Sequence, residues 1–522
     1  MSNARFIVMF LLALALAAFA AQFVIDFSSV NIAASCIVLA SSMTVLLYIL
    51  WTPAIHTHPL STFSLFGFCV TTQLGALLAQ SACATSLAGN LRIPIETYAT
   101  LACYQAIALV AHGVYRLLSG SRHGERPALL RDALQKLGLY ATPSAGTLWI
   151  MGFVGLFAFL VSGGGSGVVS KALQGMIFVA WAPFLIPMYV IQNGPGYCRV
   201  GRHYGFLAVY AATIMMLGIA ANARGFMLSG LMTIGLFSLL VAMRSEQKVN
   251  FGQIARLGAL GVVLAALSIP LSDLITAMGV VRGSRGVSAV KMVEETLHYL
   301  QQPELLRAQR ARDTLVSIQS SYDETYFASS LVGRLVETKF HDNALYFSTR
   351  LTARDEDKLV DVTVDFFWAT LPDPMLKAMK IDVDKQELGF SMGDYYSYLV
   401  GAGGLGGYRT GSAFAQGQSV FGLFFPIVYL LFCPIIFWSQ DLFASRTTRT
   451  GVLVSAVGML GIWKLFQYGL TAESIQAIFI TVVRGLPQVI VLYLLIFHVS
   501  RLGARALGQL VSAPRAAATL TA

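Results

Sequence analysis

Three basic side chains stand where the sequence leaves little water. Arg224 lies in the tight turn Ala220-Ala221-Asn222-Ala223-Arg224-Gly225 between two apolar stretches, and Lys464 and Arg484 lie inside the last two stretches of the chain. A charge at such depth is costly unless it faces a cavity or a partner. Arg and Lys match phosphate oxygens, so three cations near one edge of a membrane would make an anion site. Arg282, Arg285 and Arg409 border the long polar segment between those stretches and could extend the clamp. The bland alternatives are specific too: Lys464 could snorkel or pair with Glu473, Arg484 could pair with Asp273, and Arg224 could anchor its turn among headgroups. Proton transfer would need a base, and the polar segment offers His341, Asp394 and Asp342. Its aromatic clusters, Phe366-Phe367-Trp368 and Tyr395-Tyr396-Ser397-Tyr398, read as core or interfacial belt, or as platforms on which sugar rings stack, with Trp368, Tyr395 and Tyr396 the stacking candidates.

The elements that must hold these residues are membrane helices. The 522 residues are 56% hydrophobic and 12% charged, about half the charge of a soluble domain. Twelve apolar runs are each about long enough to cross the hydrocarbon core: 6–25, 31–51, 63–84, 95–115, 145–161, 173–191, 204–221, 225–243, 254–280, 419–438, 451–470 and 478–497. The reading is an all-α polytopic membrane protein of about 12 transmembrane helices with a large, mainly helical extracytoplasmic loop between spans 9 and 10. Its parts are a body over residues 1–280, a cap over 281–416, and a second body part with a basic tail over 417–522. The cap gathers 18 of the 26 Asp and Glu residues. A run such as Arg354-Asp355-Glu356-Asp357-Lys358 reads as solvated surface.

Cations set the orientation. With the N-terminus inside, inner loops, termini and span edges hold 16 Lys and Arg, against Arg92, Lys171 and Arg224 in the short outer loops. The positive-inside rule then puts both termini in the cytoplasm and the large loop outside the cytoplasmic membrane of a bacterium. The formal net charge of +10 reads as anchoring against anionic lipid, which removes the main support for a nucleic-acid partner. Arg5, the apolar run and Ala18-Phe19-Ala20 resemble a secretory signal, but the run is longer than a typical signal core and is read as a retained first span. All six cysteines fall in or beside spans, so the cap is not a disulfide scaffold, and no Cys/His spacing suggests zinc. No Walker loop, nucleophile elbow or dinucleotide fingerprint is present. Gly163-Gly164-Gly165 and the glycines from Gly401 to Gly407 read as flexible turns.

Several of these features together resemble the Wzy-type oligosaccharide repeat-unit polymerases. They are the Arg-Gly turn that opens a span (Asn222 to Gly225), the later Arg282-Gly283-Ser284-Arg285-Gly286, and the long loop closing with Trp368-Ala369-Thr370-Leu371-Pro372. Ser412-Ala413-Phe414 to Phe421-Gly422 then leads into span ten. The nine-plus-three layout is similar to that of O-antigen ligases of the same superfamily. The chain departs from the polymerase pattern in having Gln416 and Gln418 where many members place an acid before Phe-Gly, and from the ligase pattern in that His341-Asp342-Asn343 lies far upstream of span ten. The resemblance implies a glycosyltransferase that joins polyprenyl-diphosphate-linked oligosaccharides, undecaprenyl diphosphate being the carrier, into a surface polysaccharide or secreted exopolysaccharide. It would work without a cofactor or required metal, in contact with membrane lipid, and a chain-length regulator would be a further partner. Arg224, Arg282, Arg285, Arg409, Lys464 and Arg484 would hold the diphosphate, and His341 or Asp394 would serve as base. Two other expectations stand beside it: a transporter or flippase for a lipid-linked or anionic solute using the same cations, and a ligase that passes polymer to a lipid.

Overall fold

Helix formation follows from the apolar runs, because a chain in hydrocarbon must close its own backbone hydrogen bonds. A computed structural model describes residues 3–119, 129–162, 168–194, 196–198, 201–245, 270–281, 289–309, 326–327, 329–371, 373–447 and 451–512. Among them, nine helices are long and apolar enough to cross a membrane, and the chain is a multi-pass membrane protein. They are α1 Asn3–Ile25, α2 Ser29–Trp51, α3 Pro59–Ala82 and α4 Pro94–Ser119 before the shorter α5 Ala145–Val161; then α6 Val169–Ile191, α7 His203–Ala220 and α8 Arg224–Arg244. The short α9 Pro270–Val281 is the described end of the ninth run. The polar segment supplies α10 Thr338–Ser348, α11 Ala353–Ala369 and α12 Met392–Leu399. The chain then returns through α13 Ala413–Asp441, the short α14 Ala456–Leu460 and α15 Ile462–Tyr468, and α16 Ile475–Leu507. Because α13 begins at Ala413, the boundary drawn at residue 416 falls inside a helix.

The eleventh run differs most from its expectation of a single span. Gly451–Val454 pairs antiparallel with Ala444–Thr447 as a two-stranded hairpin, and the rest is divided into α14 and α15 by Gly461. The β-branched Val452 and Val454 suit a strand, and Ser455 starts α14 by accepting from the Gly458 N–H. Four other spans carry local irregularities, α13 among them with a 3-10 turn at Gly422–Phe424. α6 has a 3-10 stretch at Ile177–Phe184 containing Pro183, which has no N–H for a helical bond. α3 and α16 each contain one π-turn, at Val70–Leu74 and Thr481–Gly485.

The body packs around α3, nearly all of which is buried. α15 lies against it so closely that a side chain at Gly67 would collide with the Phe466 backbone, and Gly155 of α5 meets the backbone of α6 at Ala180 in the same way. Small residues allow such contact between membrane helices. α4 joins α2 to α13, while α16 covers α5. Away from the polar segment, Asp441 at the end of α13 accepts from the Leu60 and Ser61 N–H groups and from the Ser61 and Tyr115 hydroxyls, at 2.6–3.2 Å, so that its carboxylate caps the first turn of α3.

Candidate active site where the polar segment meets the membrane helices

The polar segment is fastened to the body through α10, whose first eight residues, Thr338 to Leu345, are all buried. A π-turn leaves carbonyls out of the regular helical ladder, and in α3 they receive this segment: the Glu337 N–H donates to the Thr71 carbonyl at 2.7 Å and the Thr338 hydroxyl to that of Thr72 at 2.7 Å. One turn on, Asp342 accepts from the Arg92 and Ile93 N–H groups and the Thr97 hydroxyl, all at 2.9–3.1 Å, and lies 3.4 Å from the Lys339 ammonium. That carboxylate caps the N-terminus of α4 and favours its dipole. The sequence reading offered Asp342 as a base; its oxygens are committed to holding the segment on the body.

Glu337 was not among the sequence candidates. It is 4% exposed, and its two oxygens accept from the Gln467 amide at 3.1 Å and the Thr471 hydroxyl at 3.3 Å. Burial, with the nearby charge of Glu473 adding to it, pushes its carboxyl up to about 8 despite those bonds; Glu473 is itself raised by burial. Gln467 also donates to the Arg334 carbonyl at 2.7 Å, and its own Oε1 is buried with no hydrogen-bond partner among the described residues. A protonated Glu337 could donate there. A buried carboxyl that keeps its proton near neutrality, at the edge of the membrane, is a group suited to proton transfer. The available sequence signal was its spacing: Glu337 and His341 are four apart, with apolar Val336 and Phe340 each standing just before one of them.

His341 is 3% exposed, and burial lowers its imidazole to about 4, so the ring is neutral. Its Nδ1 lies 2.8 Å from the Ser412 hydroxyl, and Phe414 packs on the ring at 5.5 Å. Ser412 Oγ also accepts from the Ala415 N–H, so its hydroxyl ties the ring to the first turn of α13, and either Nδ1 or Oγ can supply the proton between them. Three residues beyond Ala413, Gln416 links three elements: its amide donates to Thr363 of α11 and to Gln476 of α16, each at 2.9 Å, and its carbonyl accepts from the Ile475 N–H at 2.9 Å. His341, Ser412, Gln416 and Gln476 thus lie along a buried polar path from α10 through α13 to the start of α16, its Ser412–Gln416 step being the backbone bond from the Gln416 N–H to the Ser412 carbonyl.

The other sequence candidates separate. Arg484 sits in the π-turn of α16, is exposed, and donates to the Thr370 carbonyl at the C-terminal end of α11 at 3.3 Å, where a cation suits the helix dipole. Trp368 is half-buried two residues before that carbonyl, so Arg484 and Trp368 come to one junction. Lys464 is exposed on α15. Arg224 opens α8, and its guanidinium packs on Gly279 near the C-terminal end of α9, while Asn222 donates to the Met278 carbonyl at 3.1 Å. Arg282 and Arg285 lie outside the described residues.

Asp394 and Arg409 are brought together, although as structure. Both Asp394 oxygens accept backbone N–H groups, from Tyr408 at 2.7 Å and Arg409 at 3.1 Å, and the residue is fully buried. The Arg409 side chain is enclosed by the glycine loop, where a side chain at Gly403 would strike it. The sequence reading offered Asp394 as a base and Tyr395 and Tyr396 as sugar platforms; Tyr396 is fully buried, and Tyr395 is 7% exposed and stacked on Phe390. The open rings nearby belong to Tyr398, 54% exposed, and Tyr408, 67% exposed. Among the described residues no three His, Cys, Asp or Glu side chains gather as a metal site.

Set beside known proteins, the chain finds no counterpart: no family model, no curated protein and no solved structure matches it.

Proposed function

We propose that this protein is a membrane glycosyltransferase that joins polyprenyl-diphosphate-linked oligosaccharides, working at the junction between its polar segment and its membrane helices. The observation that supports this most directly is the buried proton-bearing pair at that junction. Glu337, held up to about 8, stands one helical turn from a neutral His341, and the polar path from His341 leads to the helix that carries Arg484. Sugar transfer from a lipid diphosphate needs a proton taken from the acceptor hydroxyl and a cation for the departing diphosphate. Glu337 in its ionised form would take the proton. Arg484, beside the Thr370 carbonyl and Trp368, would face the diphosphate. The sequence resemblance to repeat-unit polymerases and ligases supports the same chemistry.

The test is to incubate purified protein with a lipid-linked repeat unit and resolve the products by size. A ladder of longer oligosaccharides is expected. Movement of the lipid across vesicle membranes without a ladder would replace this reading with a transporter.

A further inference from the structure

A cavity of about 350 Å³ opens at the other end of α16, lined by Thr142, Ser144, Thr147, Phe497, Arg501 and Arg505 among others. Arg484, at the polar segment, and Arg501 are seventeen residues apart on one helix, so the cavity lies roughly 26 Å away along its axis, on the opposite edge of the membrane. Phe497, Arg501 and Arg505 follow each other at four-residue spacing and therefore share a helix face. The cavity thus runs from a buried ring, 1% exposed, to two guanidiniums. No acid among the described residues lines it, and two like charges one turn apart repel; an anion between them would turn that cost into attraction. Three hydroxyls complete the polar wall. Ser144 is already used in capping α5, accepting from the Thr147 N–H at 3.2 Å, and Tyr197 fixes the wall by donating to the Pro143 carbonyl.

We propose that this cavity binds a phosphate ester of net negative charge, one with no cation of its own to neutralise the phosphate, with Arg501 and Arg505 chelating the phosphate oxygens and Phe497 packing under the attached chain. Arginine pairs with phosphate in two-pronged geometry, and basic pockets between helices at a membrane edge suit anionic headgroups. The amphiphilic lining points to a lipid as the source, and a soluble ester shares the same recognition. The proposal does not depend on the glycosyltransferase reading.

Native mass spectrometry of the full chain, titrated with phosphatidylglycerol, phosphatidylcholine or glycerol 3-phosphate, tests it. Wild type should retain phosphatidylglycerol in preference to phosphatidylcholine, with binding falling about tenfold for each of Arg501→Gln and Arg505→Gln. Ala504→Trp keeps both arginines and fills the cavity; it should lose the lipid as well, and decides the matter if Arg501→Gln or Arg505→Gln does not fold. Displacement by glycerol 3-phosphate at equal concentration would support the site with a soluble ester as its occupant. Equal retention of phosphatidylglycerol by wild type and Ala504→Trp, or no preference over phosphatidylcholine, would overturn the proposal.

Discussion

Replacing Glu337 by Gln tests the junction through its proton. In an unfolded chain this carboxyl ionises near 4.5, and in the folded protein near 8. Between those values the unfolded chain has released the proton while the folded protein still holds it, so the wild type loses stability as pH rises from about 4.5 to about 8. Each pH step across that window is worth about 1.4 kcal/mol, which puts the full loss on the order of 5 kcal/mol as an upper bound. Glutamine has the same shape and no proton to lose. Its carbonyl can keep the bond from the Gln467 amide, and its own amide can donate to the Thr471 hydroxyl oxygen, whose proton goes to the Gln467 carbonyl. The variant should match the wild type near pH 5 and surpass it progressively towards pH 8. Thermal unfolding of the purified protein in detergent, followed at intervals from pH 5 to 9, gives both curves. Parallel curves would refute the reasoning, because they would mean that Glu337 titrates alike in the folded and unfolded chain. The glycosyl-transfer reading adds that the same variant loses chain elongation.

Asp342→Ala should loosen the polar segment, since it removes a buried carboxylate that accepts from two backbone N–H groups and a hydroxyl; a loss of about 3–5 kcal/mol should appear as faster limited proteolysis of residues 289–412, and unchanged proteolysis would contradict the capping role. Arg484→Ala and Arg224→Ala should abolish elongation while leaving membrane insertion intact, and normal product lengths in both would remove the cation clamp. Reporter fusions at Asp132 and Asp355 should report opposite sides of the membrane, and a same-side result overturns the assigned orientation.

The membrane body was legible because lipid imposes a simple demand, twenty apolar residues closing their own hydrogen bonds. The run at 145–161 became a helix with the same limits. The run at 451–470 is also mostly apolar, yet what divides it is a hairpin pairing with Ala444–Thr447 and a turn at Gly461, and hydropathy carries no record of either. At the site the failures have one source. A sequence shows which residues can accept a proton, but not how many donors each oxygen already serves. Asp342 and Asp394 seemed available as bases until backbone N–H groups from distant segments were found on them. Tyr395 and Tyr396 seemed available for stacking for the same reason, as their burial comes from Phe390 and the helices around them. Glu337 was passed over because one acid at a helix start is ordinary, and only its enclosure by Gln467 and Thr471 makes it unusual.

Asp342 gives the polar segment an electrostatic role that its acidic composition alone does not explain. α4 is 26 residues long and has Glu96 in its own first turn, and Asp342 approaches its positive end from outside the helix. Arg92 stands beside it, with its guanidinium 4.7 Å from the Tyr346 ring. If the segment lifted, Asp342 would leave together with its partner Lys339, and the Arg92 and Ile93 N–H groups and the Thr97 hydroxyl would lose their shared acceptor. Opening would therefore present a set of hydrogen-bond donors that an acceptor group could occupy, and closing would fill them again.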